Sequence, residues 1–329
     1  MKNVNWWFMT GGLFGIIVVS LLILITGCPK PTPGPSPLPS SGGQANTGGT
    51  TPIPNATGGT ISNGGTAGTS GCPTIDYPDA PLPQTLAKKV IKRKLPPRHF
   101  RPRGRAKVLA ALAPQCSGGG IPLVVTPLDQ IDGSCTGASG VGMISAPPFT
   151  TSNHFNIPDS LLAYQGGTCN DNNCVICDCN RCPAAYCPAT HANNVGSNGS
   201  SVAKWMVTVG WLPGYVTADT TDSLMAGLSS GKTCTIGVDW LDSMWTPDAT
   251  TGEIRVNLSS TYEGGHEVHA TFNDVSRGRI WVRNSWGPWG WCFKKLMTPK
   301  SATDGTGCGY GWISVSNLPK LRFDGDCPN

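Results

Sequence analysis

The distribution of apolar and polar residues divides the chain into parts of different character. A nearly continuous apolar run from Leu13 to Ile25 lies close to the start. Apolar residues then become scarce, and from about Ile121 they return in the mixed pattern of a compact domain. This pattern predicts four segments. They are a signal or anchor over residues 1–28, a disordered Pro/Gly/Thr-rich linker over 29–72, a basic linker over 73–113 and a folded domain over 114–329.

The apolar run near the start predicts export from the cytoplasm. Lys2 supplies a positive charge before the run, which ends at Thr26-Gly27-Cys28. The run is shorter than the roughly 20 residues that a membrane-spanning helix needs. Small residues before a cysteine resemble the lipobox of bacterial lipoprotein signals, which predicts a lipid on Cys28 and an exported protein tethered to the membrane of the cell envelope. The alternative is an uncleaved signal-anchor helix.

The two linkers differ in composition and in the partners they allow. Of the 43 residues 29–71, 32 are Gly, Pro, Ser or Thr, so no core can form there. Ten of the chain's 24 basic residues lie between Lys88 and Lys107, and the rest of the chain carries 14 basic and 19 acidic residues. This balance excludes a globally basic nucleic-acid-binding protein. The stretch 88–107 is a solvated linker, a segment that binds anionic lipid or wall phosphate, or a processing site.

A short helix is predicted to begin at Cys135. Gly133 and Ser134 precede this cysteine, and small residues follow it until Pro147-Pro148. A thiol at a helix N-terminus lies at the positive end of the helix dipole, which lowers its pKa and favours a nucleophilic thiolate. The alternative is that Cys135 forms half of a disulfide, as is common in an oxidising compartment.

Two further motifs lie downstream on segments that resemble strands in their β-branched and aromatic content. The first is Gly264-Gly265-His266-Glu267, in which His266 follows Cys135 by 131 residues. The second is Asn284-Ser285-Trp286-Gly287, in which Asn284 follows His266 by 18 residues. A single histidine on a strand is more often structural than catalytic. The order of cysteine, histidine and asparagine, with these flanking residues, indicates a nucleophilic site.

These motifs together resemble the papain-like cysteine peptidases over about residues 123–318. The resemblance implies an α+β fold with two lobes, a helical lobe opened by the Cys135 helix and an antiparallel β lobe. It implies that Cys135 attacks the scissile carbonyl, that His266 takes and returns the proton, and that Asn284 orients the imidazole.

The same resemblance implies roles for four supporting residues. Trp286 would shield the bond between histidine and asparagine from water, and Gln130 would donate to the oxyanion beside the backbone N–H of Cys135. Ser134 would support the nucleophile. Glu267, which follows the histidine, would line a specificity pocket and favour a Lys or Arg side chain of the substrate.

The sequence departs from the family at several positions. The family places its glutamine six residues before the cysteine, where this chain has Asp129, and Gln130 lies five before. Thr136 stands where plant and animal members carry tryptophan. His269 is a second candidate base, but residues 266 and 269 of one strand point to opposite faces, so only one can face the thiol. The family's long inhibitory propeptide is missing.

Six cysteines crowd into residues 169–187, which we predict to be an insert. Their spacing suits either a metal–thiolate site or disulfides. Export favours disulfides, and setting aside Cys28 and Cys135 leaves an even number of cysteines, 12 of the 14. We therefore predict a disulfide knot, with no metal and no cofactor.

The sequence thus favours a surface-tethered, papain-like cysteine endopeptidase that acts on peptide or protein substrates. Two alternatives remain open. One is a binding or surface-display lipoprotein on the same fold with a decayed site, and the other is an amidase that acts on cell-wall peptides by the same Cys–His chemistry.

Overall fold

The computed structural model of the protein describes most of the predicted folded domain. The described residues are 75–87, 92–93, 95–96, 116–121, 126–131, 133–149, 154–171, 196–297, 299 and 301–329. The predicted signal or anchor with Cys28, the linker 29–72, most of the basic stretch 88–107 and most of the insert 169–187 lie outside these residues. Within them, we find no helix long and apolar enough to cross a membrane.

The described part of the chain contains six α-helices. In chain order, α1 to α6 span Gln84–Ala87, Cys135–Ile144, Ile157–Asp171, Gly199–Thr208, Thr221–Ser229 and Ser301–Asp304. Helix α2 begins at Cys135, as predicted from the small residues that follow it. The N-terminus of α4 is capped by Asn198, whose side chain accepts a hydrogen bond from the backbone N–H of Ser200.

The strands within the described residues form one antiparallel sheet. Strands β1 to β9 span Ala80–Pro81, Gly118–Gly119, Tyr215–Thr217, Cys234–Leu241, Tyr262–Asp274, Arg279–Arg283, Trp291–Cys292, Tyr310–Ser314 and Asp324–Pro328. Their order is β1-β7-β8-β6-β5-β4-β9-β3, and β2 also pairs with β5. The long strand β5 pairs with both β4 and β6, and the register shifts once in each pairing. Such irregularities bend a strand and increase its local twist.

Helices α2, α3 and α4 form one lobe around a core of their own. All ten residues of α2 are buried, because it packs between α3 and β5. Helix α2 can pack this closely against α3 because residue 137 is a glycine. A Cβ atom at this position would collide with the backbone oxygen of Ser160. The buried apolar residues of this core are Val141, Met143, Ile144, Ala163, Val202, Ala203, Trp205, Met206 and Leu212.

The sheet and helix α5 enclose a second and larger core. It joins apolar residues of β4, β5 and β6 to four buried tryptophans, Trp240, Trp245, Trp286 and Trp289. The two cores belong to a helical lobe and an antiparallel β lobe, so the α+β class and the two-lobed architecture are confirmed.

The segment 75–87 belongs to the packed domain, although the sequence places it in the basic linker 73–113. Strand β1 pairs with β7, and Ile75 and Tyr77 pack against the outer face of the sheet. The hydroxyl of Tyr77 donates to the backbone oxygen of Asn273. The apolar residues of this segment are separated by prolines and polar residues and give no periodic signal, so only the tertiary contacts reveal that the segment is ordered.

Two disulfides cross-link the β lobe. Cys234 bonds to Cys327, 93 residues away, and Cys292 bonds to Cys308. Cys116 is also disulfide-bonded. Closing the longer loop stabilises the fold by roughly 4 kcal/mol through its effect on the unfolded chain. The predicted disulfides are therefore present among the described residues, whereas the predicted knot in the insert stays a prediction.

Candidate active site

Cys135 is the first residue of α2 and lies at the boundary between the lobes. It is the only free cysteine among the described residues, and it is 3% exposed. Ser134 precedes the helix and donates its hydroxyl proton to the backbone oxygen of Ile131 at 2.6 Å, which holds the loop that leads into the helix. The backbone N–H groups of Glu267 and Thr136 lie close enough to hydrogen-bond the sulfur. The thiol therefore lies next to β5, at the peptide that follows His266.

Burial changes the expected ionisation of this thiol. Loss of solvent raises the pKa of Cys135 to about 12, and the negative charge of Glu267 raises it further, while the neighbouring N–H groups lower it. The helix dipole was expected to lower this pKa. The desolvation of a buried thiolate outweighs the dipole in this state, so the thiol is protonated.

His266 on β5 is held by Asn284, which follows β6. The Nε2 atom of His266 lies 2.8 Å from Oδ1 of Asn284. The same oxygen accepts the backbone N–H of Ser285 at 2.7 Å, so it faces the ring as an acceptor. A neutral His266 therefore donates through Nε2–H and keeps its lone pair on Nδ1. That Nδ1 has no hydrogen-bond partner among the described residues, so it can accept a proton.

Tryptophan rings enclose the bond between His266 and Asn284. The ring of Trp286 stacks on the imidazole with centroids 4.4 Å apart, and Trp240 meets the imidazole edge to face at 4.8 Å. Trp245 stacks on the outer side of Trp286. Burial lowers the pKa of His266 to about 3, the bond to Asn284 raises it, and the charge of Arg93 lowers it. The imidazole is therefore neutral in this state.

One cavity contains both Cys135 and His266. Its described lining residues are Pro96, Cys135, Thr136, Gly196, Ser197, Asn198, Gly199, Gly237, Gly265, His266, Glu267 and Asp324. We refer to it as the catalytic cavity. The structure thus brings the predicted nucleophile and the predicted base to one place, together with the predicted specificity residue Glu267.

The carboxylate of Glu267 lies against the N-terminus of helix α4. Its oxygen occupies the space that a Cβ atom on Gly199 would need. A negative charge is stabilised there by the helix dipole. Asp324 is a second carboxylate among the lining residues, and the described part of the lining contains no Lys or Arg. The catalytic cavity therefore has acidic character.

Gln130 and Asp129 occupy different environments. Gln130 is buried, its backbone N–H donates to the oxygen of Ser285 at 2.7 Å, and its side-chain oxygen accepts the hydroxyl of Ser285. The side chain of Asp129 is 65% exposed and forms an ion pair with Arg93. Asp129, six residues before Cys135, thus points away from the buried site, and its neighbour Gln130 is fixed beside the Asn284–Ser285 peptide.

His269 lies in a separate cavity behind α2. That cavity is lined by Gly142 of α2, Arg283 of β6 and Phe155, among others. Both ring nitrogens of His269 lack a hydrogen-bond partner within the described residues. Burial lowers its pKa to about 3, and the charge of Arg283 lowers it further.

Sequence reasoning missed three residues around the site. Trp240 touches the imidazole from β4, and only the register that pairs Trp240 with Gly264 places it there. Arg93 and Pro96 belong to the basic stretch, whose composition gives no sign that it reaches the site. We also find no group of three His, Cys, Asp or Glu residues that could hold a metal ion in the part of the chain that the structure describes.

Solved structures with similarity to this chain are cysteine proteases of low sequence identity. Xylellain, a cysteine protease from Xylella fastidiosa, is 14% identical with a TM-score of 0.46 over 78% of this chain and 99% of its own. The bromelain protease from Ananas comosus is 14% identical with a TM-score of 0.38 over 66% of this chain and 99% of its own.

A digestive procathepsin L2 proteinase from Tenebrio molitor is 16% identical with a TM-score of 0.35, over 64% of this chain and 68% of its own. No protein-family model and no curated relative matches the chain. An assignment of activity therefore depends on the geometry of the site.

Proposed function

We propose that the chain is a cysteine peptidase that hydrolyses peptide bonds through Cys135, His266 and Asn284. The observation that carries the proposal is the hydrogen bond from His266 to Asn284. It sets the tautomer that leaves Nδ1 as a proton acceptor, in the same cavity as the only free thiol among the described residues. A histidine with only a structural role would not need this combination.

The chemistry follows from these positions. Nδ1 of His266 takes the thiol proton, and the sulfur of Cys135 then attacks the carbonyl carbon of the substrate. The backbone N–H of Cys135 and the side-chain amide of Gln130 stabilise the oxyanion. The imidazolium returns its proton to the leaving amine, and water then hydrolyses the thioester with His266 again as the base. Asn284 orients the ring throughout, and Trp286 excludes water from the bond between them.

The proposed substrate has a basic side chain near the scissile bond. Glu267 and Asp324 line the catalytic cavity and give it acidic character. Two carboxylates in one cavity attract a positive charge, so Lys or Arg is favoured there over an apolar side chain. Profiling with a peptide library should show this preference, and Glu267→Gln should weaken it. A preference for large apolar residues that Glu267→Gln leaves unchanged would exclude this role of Glu267.

We further propose that the peptidase is held at the cell surface by a lipid on Cys28. The support is the apolar run that ends at Thr26-Gly27-Cys28. The linker 29–72 would hold the domain away from the membrane, and the basic stretch 88–107 would be attracted to anionic groups. Labelling with a palmitate analogue should tag the wild-type protein but not Cys28→Ser.

A thiol-directed peptide inhibitor separates an active site from a decayed one. An epoxide or vinyl-sulfone reagent should label the wild-type protein, and Cys135→Ala should abolish both labelling and hydrolysis. Thr233→Ala is a matched control, since it removes another buried polar side chain without touching the catalytic cavity. Folded protein that binds the peptide but neither hydrolyses it nor reacts would instead favour a binding function.

A further inference from the structure

The cavity that contains His269 is lined by polar side chains, most of which have no role in the proposed hydrolysis. We refer to it as the rear cavity. The polar side chains used below are those of Ser139, His269, Arg283 and Asn284. All four residues are buried, with exposures between 2% and 4%. Only Asn284 has a place in the proposed mechanism, so the other three need a separate explanation.

The fold brings these side chains together from two lobes. His269 of β5 and Arg283 of β6 are direct partners across antiparallel strands, so their side chains lie on the same face of the sheet. Ser139 belongs to α2, and Gly142 lies one turn further along the same side of that helix. A Cβ atom on Gly142 would lie 3.0 Å from Nδ1 of His269, so this side of α2 faces the histidine. The rear cavity therefore lies between the helical lobe and the β lobe.

Three of these side chains carry buried polar atoms with no hydrogen-bond partner among the described residues. The atoms are Oγ of Ser139, both ring nitrogens of His269 and Nδ2 of Asn284. Oδ1 of Asn284 accepts from His266 and from the backbone N–H of Ser285, so Nδ2 is the donor end of the amide. Because a buried polar atom without a partner is costly, a ligand that supplies partners to these atoms would bind favourably.

The chemistry of these groups selects a ligand that accepts hydrogen bonds. The guanidinium of Arg283 and Nδ2 of Asn284 can only donate, and the hydroxyl of Ser139 can also donate. Neutral His269 supplies one further N–H. Burial lowers the pKa of Arg283, because its charge is poorly solvated, and a nearby negative charge would offset that cost. A small anion can accept from all of these donors, whereas one water molecule has only two lone pairs.

The surroundings of the rear cavity favour a negative ligand. Glu267 is the one acidic residue in the described part of the lining, and its carboxylate lies against Gly199 of α4, a residue that lines the catalytic cavity. The guanidinium of Arg283 lies over the ring of Phe155, 4.9 Å from its centroid. The other apolar lining residues used here are Leu128, Ala138 and Val268. Apolar walls keep the local dielectric constant low, which strengthens the attraction between an anion and these donors.

We propose that the rear cavity is a binding site for a small monovalent anion, of which chloride is the simplest. The anion accepts hydrogen bonds from four side chains, those of Ser139, His269, Arg283 and Asn284. Because these donors come from both lobes, the bound anion stabilises the contact of α2 with β5 and β6. The site is separate from the catalytic cavity, and it does not depend on the proposed peptidase function.

Thermal unfolding of the full chain measures anion binding without requiring any peptidase activity. Replacement of gluconate by chloride at constant ionic strength, up to about 200 mM, should raise Tm by about 3 °C or more and then saturate. The reason is that a ligand bound only by the folded chain stabilises it, and gluconate is too large for this site. Equal Tm values in the two salts would overturn the proposal, since screening by salt acts equally in both.

Ser139→Ala tests the site with little risk to the fold. The Oγ atom of Ser139 has no hydrogen-bond partner within the described residues, so its removal breaks none of the described bonds. The variant should lose about half or more of the chloride-dependent rise in Tm. The matched control is Thr217→Val on β3, which removes another buried hydroxyl without a described partner, outside the rear cavity. An equal rise in both variants would mean that chloride binds elsewhere, and the proposal would be wrong.

Arg283→Met removes the positive charge of the site and should abolish the chloride-dependent rise in Tm. Arg279→Met is the control, because Arg279 lies on the same strand and its guanidinium also covers an aromatic ring, that of Trp312 at 4.2 Å, outside the rear cavity. A rise that persists in folded Arg283→Met would contradict the proposal. If Arg283→Met does not fold, Ser139→Ala decides the test.

Anomalous diffraction from crystals soaked in bromide locates the anion directly. We expect a bromide peak in the rear cavity, within hydrogen-bonding reach of Ser139 and His269, and no such peak in crystals of Ser139→Ala at the same bromide concentration. Bromide peaks only at the protein surface, with water in the rear cavity, would show that water alone satisfies these side chains and would overturn the proposal.

Discussion

The two histidines of strand β5 have the same burial and ionisation but different surroundings. His266 is 2% exposed and His269 is 3% exposed, and burial lowers the pKa of each to about 3. His266 shares a cavity with Cys135 and is oriented by Asn284. His269 lies against α2 and Arg283, and its ring has no hydrogen-bond partner within the described residues. A lowered pKa is therefore common to both histidines, and only the hydrogen bond to Asn284 distinguishes the proposed base.

The difference arises from the alternation of a strand. Residues three apart on β5 point to opposite faces, so the two rings enter different parts of the molecule. His266 pairs with Val238 of β4, and His269 pairs with Thr235 of β4 and with Arg283 of β6. One face of β5 carries its histidine to the tryptophans of the β lobe, and the other carries its histidine to the helical lobe.

The largest effect that distinguishes the two histidines should be on catalysis. We expect His266→Ala to lower kcat/KM by at least about 10³-fold, because the general base and the nucleophile act as one unit. His269→Ala should change kcat/KM by less than about 10-fold, since His269 does not line the cavity that holds Cys135 and His266. Steady-state hydrolysis of a fluorogenic peptide with a basic residue measures both values.

Asn284 provides a graded control for this comparison. Asn284→Ala should cost about 10- to 100-fold, because the imidazole loses the partner that fixes its tautomer but keeps its position between the tryptophans. Melting curves must first show that each variant is folded. If His269→Ala abolished hydrolysis and His266→Ala did not, the base would be His269 and our assignment would be wrong.

The different roles proposed for His266 and His269 could be predicted from the sequence only in part. The glycines before His266 and the motif Asn284-Ser285-Trp286-Gly287 favour His266, and the helix at Cys135 follows from small residues that stop at Pro147-Pro148. The α+β class follows from the resemblance of these motifs to those of the papain-like cysteine peptidases. These features are local, so one sequence is enough to indicate them.

Features that depend on strand register or on long-range packing could not be predicted. The contact between Trp240 and His266 needs the pairing of β4 with β5. The choice between Asp129 and Gln130 depends on which side chain is buried beside Ser285, a difference of one position in a loop. The order of segment 75–87 rests on a two-residue strand and a few apolar contacts, which leave no periodic pattern.

The next largest effect is on the pH dependence of stability, to which the two histidines should contribute equally. Each has an ordinary pKa of 6.5 when unfolded, and burial lowers it to about 3 in the folded protein. Between these values only the unfolded chain binds the proton, so acid favours unfolding. Stability is therefore fully present above pH 6.5 and is lost as the pH falls toward 3, by roughly 1 kcal/mol per pH unit for each histidine.

Urea denaturation at pH 7 and pH 5 tests this shared contribution. The wild type should lose more stability between the two pH values than His266→Ala or His269→Ala, by roughly 1–2 kcal/mol in each case. Each substitution also leaves a cavity, which lowers the free energy of unfolding equally at both pH values. Comparing the change in this free energy between pH 7 and pH 5 therefore removes the effect of the cavity. An unchanged slope in one variant would mean that its histidine is already protonated or exposed in the folded state.

The smallest effect concerns the packing that holds His269 and not His266. A Cβ atom on Gly142 of α2 would lie 3.0 Å from Nδ1 of His269, tighter than ordinary contact, and 3.4 Å from its Cβ. Gly142→Ala alone should therefore destabilise the protein, because the crowding exceeds the roughly 1 kcal/mol that alanine gains over glycine inside a helix. In the His269→Ala background the two tightest of these contacts, with Nδ1 and Cγ, are removed, so the same change should stabilise. The coupling energy between the two substitutions in this double-mutant cycle should be about 1 kcal/mol or more, measured by urea denaturation.

The control is the same cycle with His266→Ala in place of His269→Ala. Its coupling energy should be near zero, because His266 lies on the opposite face of β5. Equal coupling to both histidines would mean that the packing of α2 depends on both faces of β5, and the prediction would be wrong.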